Sequence, residues 1–207
     1  NLSSLTYFLP ELFLVVIMLF VFLSDLNTEL KKYTFHITIF GLVGAAILLF
    51  LSQGYEYSLF MGMITIDPFS HYFKWLFLIA TTLVVIVSRY TKELEGIFIG
   101  EYYGLILILL FGLFLMSSST NLLMIVLSIE TVSISSYILA GMLKFDRKSN
   151  ESALKYVIFG AFASGIMVYG MSWLYGYSGS TDIYKIHLAL IGMEDPFIIY
   201  MAIVMII

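Results

Sequence analysis

A single acid, Glu130, stands near the middle of the long apolar run LLMIVLSIETVSISSYILAGM (122–142). A charged side chain at the centre of a bilayer costs at least about 2.5–3.5 kcal/mol on insertion scales, and such residues face a protein interior, take a partner and mark transport paths. Ser133 and Tyr137, at i+3 and i+7, share the helical face of Glu130, with Val126 and Ile134 flanking it. Their hydroxyls are suited to hydrogen-bond the carboxylate or to hold water beside it. The chemistry this suits is proton exchange at a buried acid; a carboxylate fixed in one permanent pair is the alternative.

Lys155, in ESALKYVIFGAFASG (151–165), is the second candidate. Glu151 precedes it by four residues, a favourable i,i+4 arrangement, while Phe159 and Phe162 continue its face. It either tunes Glu130 through water or a third group, or snorkels to the interface. By helix rise it lies roughly 10 Å nearer the cytoplasm than Glu130, too far for a direct salt bridge. Glu11 and Lys74 fall near the outer ends of their runs and read as interfacial or structural. His36, His71 and His187 are scattered, without metal-ligand spacing. Gly160 with Ser164 and Ala161 with Gly165 are small-xxx-small pairs, which suit close helix packing.

The elements that must position these residues are membrane spans. The chain has 207 residues, 61% hydrophobic and 12% charged, with a net charge of −4. A soluble domain averages about 25% charged residues, so the bilayer is the implied solvent. The absence of cysteine excludes disulfides, thiolate catalysis and iron–sulfur ligation within this sequence. No basic patch suggests nucleic acid. The first apolar stretch lacks the basic start of a signal peptide and carries Pro10 and Glu11.

Apolar runs at 5–24, 33–52, 68–88, 102–118, 120–143 and 152–176 are long enough to cross, and a seventh begins near 197. All are expected to be helices, because a lone strand in lipid leaves its backbone unpaired. Both ends look cut: there is no initiating methionine, and the seventh run stops after eleven residues, short of the roughly 20 that a span needs. The loops after the first, third and fifth runs carry Lys31, Lys32, Arg89, Lys92, Lys144, Arg147 and Lys148, whereas the alternate loops carry only Lys185. By the positive-inside rule the N-terminus faces outside. Loop 177–196 is polar, and Met193-Glu194-Asp195-Pro196 is expected to start the seventh helix.

The segment LSIETVSISSYILAG (127–141) resembles the glutamate-bearing stretch of the antiporter-like subunits of respiratory complex I, NADH:quinone oxidoreductase. ESALKYVIFGAFASGIMVYGMSWLYGYSGSTDI (151–183) is similar to the subunit N branch of that family, and PEL (10–12), DPFS (67–70) and EYYGLILILLFGLFLMSSSTNLL (101–123) fit it too. The resemblance covers essentially the whole chain. It implies an all-α polytopic membrane fold: six full transmembrane helices plus the start of a seventh, within a fold of about fourteen helices built from two inverted five-helix repeats. Residues 1–100 would be three helices preceding the first repeat and 101–207 the first part of that repeat.

In the family, the glutamate matching Glu130 works with a lysine on the interrupted seventh helix, beyond Ile207, and the sixth-helix lysine matches Lys155. The implied function is proton translocation in the membrane arm through Glu130 and Lys155, with Ser133 and Tyr137 in support. No cofactor would sit in this chain; NADH, FMN, iron–sulfur clusters and quinone would belong to other subunits. The partners would be neighbouring membrane-arm subunits and the lipid bilayer, and the location the bacterial inner membrane. Three alternatives remain. A stand-alone cation/proton antiporter subunit shares the same core helices, a scaffold subunit would only brace its neighbours, and a seven-helix receptor or retinal protein would share the span count.

Overall fold

In the computed structural model, residues 2–91, 99–191 and 197–207 are described. Six helices are long and apolar enough to cross a membrane: α2 (Leu9–Leu26), α4 (Thr34–Leu51), α5 (Pro68–Ser88), α6 (Ile99–Ser118), α7 (Leu122–Ala140) and α8 (Arg147–Ser178). They correspond to the six apolar runs in order. Short helices α1 (Leu2–Tyr7), α3 (Thr28–Lys31) and α9 (Ile183–Ile191) flank them, and α10 (Phe197–Ile206) is the seventh run. Lys92 and Met193-Glu194-Asp195-Pro196 lie outside the described residues.

Helix starts follow side-chain chemistry. Asp67 and Ser70 form a reciprocal capping box at α5, in the DPFS segment, with Pro68 at the first helical position. Asn121 caps α7 by accepting from the Leu123 amide at 3.0 Å. Asp146 caps α8, accepting from the Lys148 amide at 3.1 Å. That cap makes α8 longer than its apolar run: its 32 residues extend about 48 Å, and the charged segment read as an inner loop forms its first turns.

The core is built around α6. Of its most apolar stretch 56% is buried, against 11% for α7 and for α8. Leu107, Leu110 and Phe114 of α6 meet Leu14 and Val21 of α2, Leu42 of α4, and Leu78 and Val85 of α5. Small residues let these helices approach: a Cβ at Gly44 would strike Phe13, and one at Gly104 would strike Phe22.

Two elements lie in stretches between the apolar runs for which no element was expected. Tyr57–Leu59 (β1) and Ile64–Ile66 (β2) form an antiparallel hairpin between α4 and α5, pairing Tyr57 with Ile66 and Leu59 with Ile64. Phe60, Met61 and Gly62 turn it with positive φ; Phe60 is held by an edge-on contact with Phe8, while Met61 is fully exposed. The ban on open strands applies to the hydrocarbon layer, and water beyond that layer satisfies an edge. The second is α9, inside the stretch read as a polar loop, where Ile186 packs against Leu122, Met167 and Met171.

At the end called outer after the loop-charge reading, three turns are stitched together. The Thr120 amide donates to Met63 O (3.0 Å) and its hydroxyl to Gly62 O (2.8 Å). The Leu122 amide donates to Thr181 O (2.8 Å), and Asn121 Nδ2 to Thr181 Oγ1 (2.8 Å). At the opposite end, Arg89 stacks over Phe35 at 4.5 Å, beside Lys31 and Lys32. The basic loops after α2 and α5 therefore share one end of the bundle.

Candidate functional site

Glu130 lies in the middle of the 19-residue α7, about 12 Å from its first residue by helix rise. It is half-buried, and among the described residues no hydrogen bond or ion pair reaches its carboxylate. The reason lies in how α7 is divided. One side packs on α6, where Gly112 lets Thr131 and Val132 approach and Ser119 Oγ stands 3.3 Å from Ser128 Oγ. Another side packs on α8, where the Tyr137 hydroxyl lies against Gly160 and its ring meets Tyr156 edge-on at 4.7 Å. The third side carries Leu123, Leu127, Ile134 and Ile138, all exposed. At 100° per residue, Glu130 falls on the border between the α8 side and this bare side.

Ser133 and Tyr137 are brought together as the sequence implies. Both line a cavity of about 420 Å³ between α7, α8 and α10, along with Ile129, Tyr156, Ser164 and Met205. This cavity has room for water at a liquid share of about 30 Å³ per molecule, and the two hydroxyls offer it polar partners. Glu130 itself is not among the lining residues; it sits one position along the helix from Ile129.

Lys155 is not joined to this cavity. It lies in the third turn of α8, exposed, and donates to Glu151 Oε1 at 2.6 Å. Phe159 and Phe162 are also exposed, 73% and 71%, so their face has no cover among the described residues. Gly160 and Ser164 face α7, whereas a Cβ at Gly165 would meet nothing. Only the first small-residue pair therefore packs here.

The reading of Glu11 and Lys74 as interfacial is corrected. Lys74 Nζ donates to Glu11 Oε1 at 2.6 Å, and the side chains are 3% and 1% exposed. Their joining of α2 to α5 fits the structural half of that reading. Among the described residues no group of three or more His, Asp or Glu side chains is placed to hold a metal ion.

The arrangement defines a class: a polytopic membrane protein with an isolated acid at mid-span. Residues 119–207 match the family described as NADH:quinone oxidoreductase/Mrp antiporter, TM. The chain is 39% identical over 198 residues to NADH-quinone oxidoreductase subunit N of Anaeromyxobacter sp. (strain Fw109-5), covering 94% of this chain and 38% of that protein. It is 41% identical over 186 residues to NADH-quinone oxidoreductase subunit N 2 of Chloroherpeton thalassium, covering 87% and 36%. The chain is thus similar to NADH-quinone oxidoreductase subunit N proteins, and spans somewhat over a third of the length of these relatives.

Two solved structures share its fold. A chain of respiratory complex I from Thermus thermophilus with bound aureothin gives a TM-score of 0.75 at 24% identity, covering 95% of this chain and 42% of that one. A chain of membrane-bound sulfane sulfur reductase, an archaeal respiratory membrane complex, gives 0.77 at 19% identity, covering 97% and 43%.

Proposed function

We propose that this chain is part of a proton-translocating membrane-arm subunit of an NADH:quinone oxidoreductase, with Glu130 as its exchanging acid. The observation that carries the reading is the half-buried carboxylate at mid-span, unpaired among the described residues, on a helix whose Ser133 and Tyr137 line a cavity of about 420 Å³. Residues 1–100 form a three-helix entry unit and 101–207 the start of the translocating repeat. No redox cofactor is held by this chain; NADH oxidation and quinone reduction take place in partner subunits. The bare stripe of α7 beside Glu130 is where further helices of a full-length protein bring a cation.

The physics is a switch in proton affinity. Removing water from a carboxylate favours the proton, and an ammonium drawn close favours the anion. Moving one charge across the membrane works against about 2.3 kcal/mol per 100 mV, and each unit of pKa change supplies about 1.4 kcal/mol. Two units therefore suffice for about 100 mV. Ser133 and Tyr137 hold water in the adjoining cavity. Lys155, on the inner side, tunes Glu130 or forms part of the inner entry route.

The test is Glu130→Ala in the intact complex, reconstituted into vesicles. Proton translocation should fall by at least tenfold with the complex still assembled. Normal translocation together with normal quinone reduction would sink the reading. A second reading is favoured by the family description, which also covers Mrp antiporters: the chain would belong to a cation/proton antiporter without redox subunits. Co-purification with flavin and iron–sulfur subunits separates the two.

A further inference from the structure

The entry unit contains ionisable chemistry that the Glu130 reading does not use. At the Glu11–Lys74 pair, Glu11 Oε2 has no hydrogen-bond partner among the described residues, and neither do both ring nitrogens of His71 and Nε1 of Trp75, although all four atoms are buried. His71 stands three positions before Lys74 on α5 and is 8% exposed. Its ring and that of Trp75 line an open cavity of about 310 Å³, together with Gln53, Tyr55 and Glu56 of the outer loop after α4. The charges bearing on the imidazole are Lys74 on its own helix, Asp67 at that helix's cap, Glu11 on α2 and, across the cavity, Glu56.

Buried polar atoms in native proteins have a partner, from the protein or from water. Water enters a cavity that is polar and roomy enough; this one has room for several molecules, and the two rings that carry three of these buried atoms line it. A dry imidazole with two idle nitrogens would be an unexplained cost, whereas a wet one is a proton carrier. An ion pair serving only to tie α2 to α5 requires neither the cavity nor the imidazole.

We propose that His71, backed by the Glu11–Lys74 pair, is a proton-exchange site on the outer side of the entry unit, fed by water through this cavity. A hydronium in the cavity gives its proton to one imidazole nitrogen and becomes water. The other nitrogen then releases a proton, leaving the neutral ring, so the step balances without any redox partner. The Glu11–Lys74 pair is neutral as a whole: the Glu11 carboxylate favours, and the Lys74 ammonium opposes, the positive charge that the ring acquires. This site does not depend on the Glu130 reading, and either can fail alone.

The experiment uses the full-length protein in its native membrane. Diethyl pyrocarbonate modifies neutral imidazole, and mass spectrometry resolves each histidine. His71 should be modified at a rate that rises at least tenfold between pH 5 and 8, and Glu11→Gln should move the midpoint of that curve by a factor of three or more in proton concentration. No modification, a rate flat in pH, or a midpoint unmoved by Glu11→Gln would overturn the proposal. The side of access is read with a charged, impermeant thiol reagent added from outside. His71→Cys should react at least ten times faster than Leu78→Cys, which is buried deeper on the same helix. Trp75→Cys reads the same cavity if His71→Cys does not assemble, and equal slow rates would overturn the outer route. Glu130→Ala should leave all of these results unchanged.

Discussion

Glu11 and Lys74 are 63 residues apart, and no local spacing joins them. Each could be singled out as a charge inside an apolar run, but their meeting is a product of α2 packing beside α5. Glu130 was legible for the opposite reason, because its depth follows from helix rise within one run. The lack of a partner for Glu130 was not legible, since that depends on which faces of α7 are covered. Removing one member of a buried pair leaves an unpaired charge, at a cost of about 3–5 kcal/mol, while replacing both with apolar residues is often neutral. Lys74→Met should therefore lower stability by that amount, and Glu11→Leu with Lys74→Met should recover most of it. Chemical unfolding of the detergent-solubilised protein measures both, and an additive loss in the double variant would contradict the pairing.

Helix count and order could be read from apolar run length, because a span must satisfy its own backbone. The boundaries were less legible: Asp146 starts α8 before its apolar run, and the polar turns that follow are held by capping and by the Glu151–Lys155 pair. The hairpin and α9 were missed because short segments outside the hydrocarbon layer are shaped by contacts with other loops. One close approach between α7 and α8 lies where Gly160 meets the Tyr137 hydroxyl. Gly160→Ala places a methyl there and should cost about 1–3 kcal/mol, as overpacking does. Tyr137→Phe removes the oxygen and should restore part of the loss. A double-mutant cycle on thermal stability checks this, and zero coupling would mean the two helices already have slack.

Across the whole molecule, the positive loop ends and the stitched turns lie at opposite poles of one bundle. That polarity makes a topological prediction: alkaline phosphatase fused after Gln53 should be active outside the cell, and fused after Asp146 inactive. The reverse pattern would invert every assignment of outer and inner. The uneven burial has a reading at this scale too. The α2–α4–α5–α6 group has a closed core, while α7 and α8 show wide apolar faces.

The hydrogen bonds joining the hairpin, the α6–α7 turn and the α8–α9 turn fasten one pole of this bundle like the rivet of a folding fan. The far rim has a tie of its own where α7 hands over to α8, the Ser149 hydroxyl donating to Ala140 O. Any sideways shove along the plane of the membrane would thus meet a fastening at both poles.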